Sequence, residues 1–211
     1  MTLKKLLYWF WSTLFIGGAS ALILSWIFEW AAGSDLFGTI PKQLLLSLTL
    51  AALAELGFFS FLVFNWLAKG LIRQKRAYDL FMLLLVLIVL GDWAYLNLSK
   101  FNGESLWLHL LVPFTVLLTA VIVAGLKVKW TQKTAYVPTF FFMVVATVIE
   151  AVPTFHAKAG EIPLLMILHA VLVLLVCNAW QILQLHRLVA PRSRTNLPQR
   201  ETKQKPAPSI K

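Results

Sequence analysis

Five ionisable side chains fall inside long apolar runs of this sequence: Glu55, Asp92, His109, Glu150 and His169. Carboxyl and imidazole groups are the ones that exchange protons, hold cations or ligate metals. In hydrocarbon each is costly, so each should face other helices or a wet cavity rather than lipid. The stretch from Thr139 to His156, TFFFMVVATVIEAVPTFH, poses the problem most plainly. It is nearly all apolar and long enough to cross a bilayer, yet it carries Glu150, with Pro153 three residues later.

A helix rises about 1.5 Å per residue, which sets the depth of each group. Glu55 lies near the middle of its run, whereas Asp92 and Glu150 lie roughly 6 Å outward of theirs. His169 sits at a similar outward depth and His109 further out. The expectation is one polar cluster in the outer half of a bundle. The opposite half offers Asn65, Asn178, Gln181 and Gln184, with Cys177, Gln181 and Gln184 on one arc of the last run. An outer cluster of this composition suits a proton, a cation or a small ligand entering from outside. Mixed imidazole and carboxylate would also suit a divalent metal. No tight ligand spacing such as HExxH is present, so no metal and no cofactor is expected. The plainer possibility is that these groups only bond across helices and fix the packing, at about 0.6–2 kcal/mol each. The residues by themselves leave both open.

The elements that must position them are apolar rods. The chain has 211 residues, of which 59% are hydrophobic, and a mean hydropathy of +0.77. A soluble domain of this size would leave too much of that surface exposed. Six runs approach or exceed the ~20 residues needed to span about 30 Å of hydrocarbon. They are Leu6–Phe28, Leu44–Ala68, Tyr78–Leu98, Leu106–Leu126, Tyr136–Phe155 and Pro163–Leu185. Their apolar pattern is continuous rather than alternating, which excludes a closed barrel and leaves helices. The predicted class is therefore all-α: a polytopic membrane protein, a bundle of six transmembrane helices spanning residues 1–189.

The net charge of +10 is placed by topology rather than gathered on a soluble face, so no nucleic-acid partner is expected. Sixteen of the 19 Lys and Arg residues lie on one side: at the N-terminus, in the second and fourth gaps, and beyond the last span. Only Lys42, Lys100 and Lys158 lie on the other. The positive-inside rule then puts both termini in the cytoplasm of a plasma-membrane protein. Tyr8, Trp9, Trp66, Tyr78, Trp130 and Tyr136 should mark the inner interface. Trp26, Trp30, Trp93, Tyr95 and Trp107 should mark the outer one. Trp180 lies deeper and is expected between helices.

Ala19-Ser20-Ala21 resembles a signal-peptide cleavage site, but the apolar run continues past it, so an uncleaved first span is predicted. Gly17 to Ala21 then read as a smooth surface for close helix packing. Pro41, Pro138 and Pro163 fall at helix starts, where a missing N–H costs little. Pro113 and Pro153 lie inside spans and free the carbonyls of His109 and Ile149. Cys177 is the single cysteine, so no intrachain disulfide can form. Residues 190–211 are polar, basic and proline-containing, and read as a flexible cytoplasmic tail suited to anionic lipid headgroups.

Phosphate loops, kinase glycine loops and dinucleotide fingerprints are missing. Gly18-Ala19-Ser20 bears a loose likeness to a membrane serine-protease nucleophile but lacks a following glycine and a base motif. No enzymatic activity is expected. A small transporter or permease using the buried carboxylates as its coupling site is the alternative, weakened by the lack of an internal repeat.

The run FFFMVVATVIEAVP at Phe140–Pro153, CNAWQILQLH at Cys177–His186 and GFFSFL at Gly57–Leu62 resemble the KbaA family, the KinB-signalling pathway activation proteins of spore-forming bacilli. The length and six-span layout are similar too. The resemblance implies a non-enzymatic plasma-membrane accessory protein that activates a KinB-type sensor histidine kinase feeding the sporulation phosphorelay. It supplies no catalytic or ligand residues. The corresponding expectation is lateral contact with the kinase's transmembrane helices. Glu55, Asp92, His109, Glu150 and His169 would then be the coupling group, and the helices kinked by Pro113 and Pro153 the moving parts.

Overall fold

The structure is a computed structural model that describes residues 3–33, 36–100, 106–155 and 164–189. It is helical wherever it is regular. The helices are α1 (Leu3–Ala32), α2 (Ile40–Leu71), α3 (Lys75–Lys100), α4 (Leu106–Trp130), α5 (Tyr136–Phe155) and α6 (Leu164–Val189). A single 3₁₀ turn, Lys133–Ala135, leads into α5. All six α-helices are long and apolar enough to cross a membrane. Helices α1, α2 and α3 exceed the predicted spans by a few residues at each end, and α4 and α6 at their C-terminal ends, because a helix does not stop where hydrocarbon stops. Interfacial residues such as Trp30, 84% exposed, prolong it.

At the end of α1 the chain must reverse, and Gly33 supplies the left-handed residue (φ 64°) that a side chain would oppose. Its N–H closes the last turn on the carbonyl of Glu29 at 2.9 Å. At the start of α2, Pro41 occupies the first turn as predicted.

The bundle is built around α5 and α6, which bury the largest share of their side chains. Helix α6 touches α1, α2, α4 and α5, while α5 touches α2, α3, α4 and α6. Helix α3, in contrast, leans mainly on α5 and makes no extensive contact with either neighbour in sequence. The outward faces carry the large apolar side chains, among them Phe15, Leu56, Leu87 and Phe114, as a lipid-facing surface requires.

Helices α1, α2 and α6 meet closely at Gly17. A Cβ added at Gly17 would stand 2.7 Å from the Ala51 Cβ and 3.0 Å from the Cys177 Sγ. That agrees with the small-residue surface expected there. Gly17→Leu is therefore expected to cost about 1–3 kcal/mol by overpacking. The check is thermal unfolding of the detergent-solubilised protein, and an unchanged midpoint would mean α1 is seated elsewhere.

The aromatic belts are only partly as expected. Tyr8, Trp66, Trp130, Tyr136, Trp26, Trp30 and Tyr95 are exposed, but Trp9, Tyr78 and Trp93 are buried. Trp9 stacks at a tilt on Phe58, ring centres 4.7 Å apart. The Trp107 side chain, like the tail at 190–211, lies outside the described residues. Trp180 does sit between helices, donating to Ser12 Oγ at 3.2 Å.

Candidate functional site: a polar layer beneath an open groove

Helices α2, α5 and α6 bring their polar side chains to one layer of the interior. On α5, Thr147 and Glu150 are three residues apart and so share a face. Opposite them Asn178 of α6 donates to Thr147 Oγ1 at 3.0 Å and to Glu150 Oε2 at 2.8 Å. Both Glu150 and Asn178 are buried. The second carboxyl oxygen, Glu150 Oε1, has no partner among the described residues, nor has Asn178 Oδ1.

Glu55 enters the same layer from α2 and is 4% exposed. Thr13 and Gln181 lie beside it, yet neither meets it in good hydrogen-bonding geometry. The Thr13 hydroxyl is taken by the carbonyl of Trp9 at 3.1 Å. Both Glu55 oxygens and both polar atoms of the fully buried Gln181 remain without a partner among the described residues. The buried Cys177 of α6 lies near enough to both carboxyl groups to interact with each electrostatically. An unpaired polar group in a dry interior costs about 1–3 kcal/mol, so a layer with this many is poorly satisfied as structural glue.

Glu150 also reaches the surface of the bundle. Gly57 on α2 leaves it room: a Cβ there would lie 2.8 Å from the Glu150 carboxyl carbon. Glu150 lines a groove of about 520 Å³ whose walls come from α2, α3 and α5. Leu56, Phe64, Leu85, Val89, Phe141 and Ile149 make it almost wholly apolar, and Pro153 lines it one turn beyond Glu150. It exists because α2 and α3 do not close on each other.

The five residues singled out in the sequence are thus not one cluster. Glu55 and Glu150 share the layer, and both are inward as predicted. His169 is buried elsewhere, against α1. Its Nε2 is 3.0 Å from Ser25 Oγ and 3.1 Å from the Ala21 carbonyl oxygen. A carbonyl only accepts, so the tautomer with the proton on Nε2 fits this site. Phe37 and Phe28 cover the ring. Glu29 is the nearby carboxylate; its Oε1 accepts from Phe37 N and Gln43 Nε2, each at 3.2 Å.

Asp92 is exposed, which corrects the expectation that it turns inward. Trp93, 4% exposed, holds the inward position on α3, and the next residue back is rotated by about 100°. His109 falls on the first turn of α4, where its side chain lies outside the described residues. Asn178 and Gln181, placed by depth in the opposite half, prove to be the partners and neighbours of the carboxyl groups. The depth estimate assumed aligned centres, but α5 has 20 residues and α6 has 26. No group of three or more potential metal-ligating side chains converges among the described residues.

Comparisons with known proteins agree on a single relationship. A family model described as KbaA, KinB-signalling pathway activation in sporulation, matches residues 17–188. A protein of Bacillus subtilis (strain 168) named KinB-signaling pathway activation protein is 28% identical over 201 residues, covering 90% of this chain and all of the relative. No solved structure matches.

Proposed function

The chain belongs to the KbaA family, and from that premise we propose that it is a non-enzymatic, multi-pass plasma-membrane protein that raises the output of a KinB-type sensor histidine kinase. Its termini lie in the cytoplasm, in keeping with the placement of its Lys and Arg residues. Residues 190–211 rest against anionic lipid. The kinase is engaged sideways, through one of its own transmembrane helices, at the groove between α2 and α3.

The observation that carries this reading is Glu150, which lines an open apolar groove and keeps one buried carboxyl oxygen without a partner among the described residues. Apolar walls match a transmembrane helix, and a lone buried acceptor calls for a hydrogen-bond donor on that helix. Engagement would compete with or reinforce the bond from Asn178 to Glu150. The segment of α5 ending at Pro153 would respond, since the proline has already removed one backbone bond there. Any such switch requires that the partner bind two packings of the bundle unequally.

The test is co-purification of the full chain with a co-expressed KinB-type kinase, together with kinase autophosphorylation in the same membranes. The complex should form, and Glu150→Leu should weaken activation while Asp92→Asn leaves it intact. A chain that purifies alone, with sporulation signalling surviving its deletion, would end this reading.

A further inference from the structure

Away from the polar layer, the α2–α3 and α4–α5 turns approach one another at the end of the bundle. Residues near the ends of five helices, α2 to α6, enclose an open cavity of about 400 Å³ there. Four cationic side chains line it, Lys69, Arg73, Lys75 and Lys127, against one acidic side chain, Asp79. Asp79 is already engaged by Lys75, at 3.9 Å.

Lys127 is the informative member. It is 5% exposed, and its Nζ donates to the carbonyl of Ile182 at 2.6 Å. An ammonium group has three donors, so this single acceptor leaves it short. Among the described residues it belongs to no ion pair. A buried charge without a counter-charge is costly, so an anion from outside the chain fits the deficit. The surrounding groups are braced for such a role. Tyr78 donates to Asn65 Oδ1, and Lys69 Nζ lies 5.9 Å from the centre of the Tyr78 ring. The remaining walls are mixed: Phe61, Ile72, Pro138 and Leu185 are apolar, and Gln132, Thr134 and Thr139 are polar.

We infer that this cavity binds a phosphate-bearing anion, with Lys127 at its floor and Lys69 and Arg73 at its rim, and that a phospholipid headgroup carries it. A compact phosphate matches the point charges of lysines and the planar fork of an arginine. The lipid source is favoured because the cavity opens at the end of apolar spans, with apolar residues among its walls to receive the first carbons of an acyl chain. The site is separate from the residue 190–211 tail and does not depend on the kinase reading.

The test uses the full chain in detergent, delipidated, with binding followed by native mass spectrometry and thermal shift. The probes are dioleoylphosphatidylglycerol, dioleoylphosphatidylcholine and inorganic phosphate. One phosphatidylglycerol should bind in preference to phosphatidylcholine. Lys69→Gln with Arg73→Gln should weaken it about tenfold or more, the loss of charge-assisted hydrogen bonds. Lys127→Met should do the same, and the rim pair keeps the test valid if that buried variant fails to fold. Lys129→Gln with Lys133→Gln removes the same charge outside the cavity lining and should leave binding unchanged. Saturable binding of inorganic phosphate without phosphatidylglycerol would keep the phosphate site and transfer it to a soluble source. Equal binding of both lipids, or equal weakening by the two charge-matched pairs, would overturn the inference.

Discussion

Gly57→Ala is expected to cut pathway activation by roughly tenfold while the protein still inserts and folds. The added Cβ cannot share space with the Glu150 carboxyl group, whose carbon would be 2.8 Å away. The obstacle is the far end of a flexible side chain, so the carboxyl group yields by rotating and α2 need not move. Rotation breaks the bond from Asn178 and shifts the free acceptor within the wall that Glu150 gives to the groove. An interhelical hydrogen bond of this kind contributes about 0.6–2 kcal/mol, too little to unfold six packed helices. It is enough to shift a two-state balance by a factor of about ten, since that factor corresponds to 1.4 kcal/mol. The measurement is a sporulation reporter normalised to membrane protein level. Full activation by Gly57→Leu, a larger intrusion, would show that neither Glu150 nor the groove takes part.

The second expectation runs opposite to most core substitutions. Glu55→Met combined with Gln181→Leu should raise the unfolding midpoint in detergent by several degrees. Among the described residues four buried polar atoms lack a hydrogen-bond partner: both Glu55 oxygens, and Gln181 Oε1 and Nε2. Replacing neighbouring buried polar groups together by apolar groups of similar size is nearly neutral or stabilising, because each unsatisfied group costs about 1–3 kcal/mol. The single change Glu55→Met leaves Gln181 unsatisfied and should gain less. If the double variant is more stable and no longer activates the kinase, the pair is maintained for signalling at the expense of stability. A lower midpoint would instead mean that these side chains hold the bundle together, against the reading given above.

The six spans were legible because lipid imposes a length and tolerates few exceptions. The inward placement of Glu55 and Glu150 followed from the same cost, as did the role of Gly17 and the seat of Trp180. What sequence could not supply was which helix faces which. Asp92 is expected inward from the cost of a carboxylate in hydrocarbon, but α3 leans chiefly on α5, so only one arc of it is covered. Tyr78, Met82, Val86 and Trp93 occupy that arc at helical spacing. A period analysis of α3 would have separated Trp93 from Asp92. Asn178 was assigned to the wrong half because depth was counted from span centres, and helices of unequal length do not share them. Glu29 was passed over because it lies at the end of its run, where a carboxylate is unremarkable. The Lys127 cavity escaped notice for a related reason: counting cations for topology says nothing about which one is buried.

The attachment of α3 chiefly to α5 also bears on how the chain is made. During synthesis α1 and α2 can join as soon as both are in the bilayer, but the seat of α3 is on α5, two spans later. Between those moments α3 has only a few side-chain contacts with α2, such as Tyr78 with Asn65, and its other faces, including Leu80, Leu84 and Leu87, meet lipid. A chain interrupted after α4 would therefore carry a segment without its main seat, and membrane proteases that survey unfinished proteins would find it there.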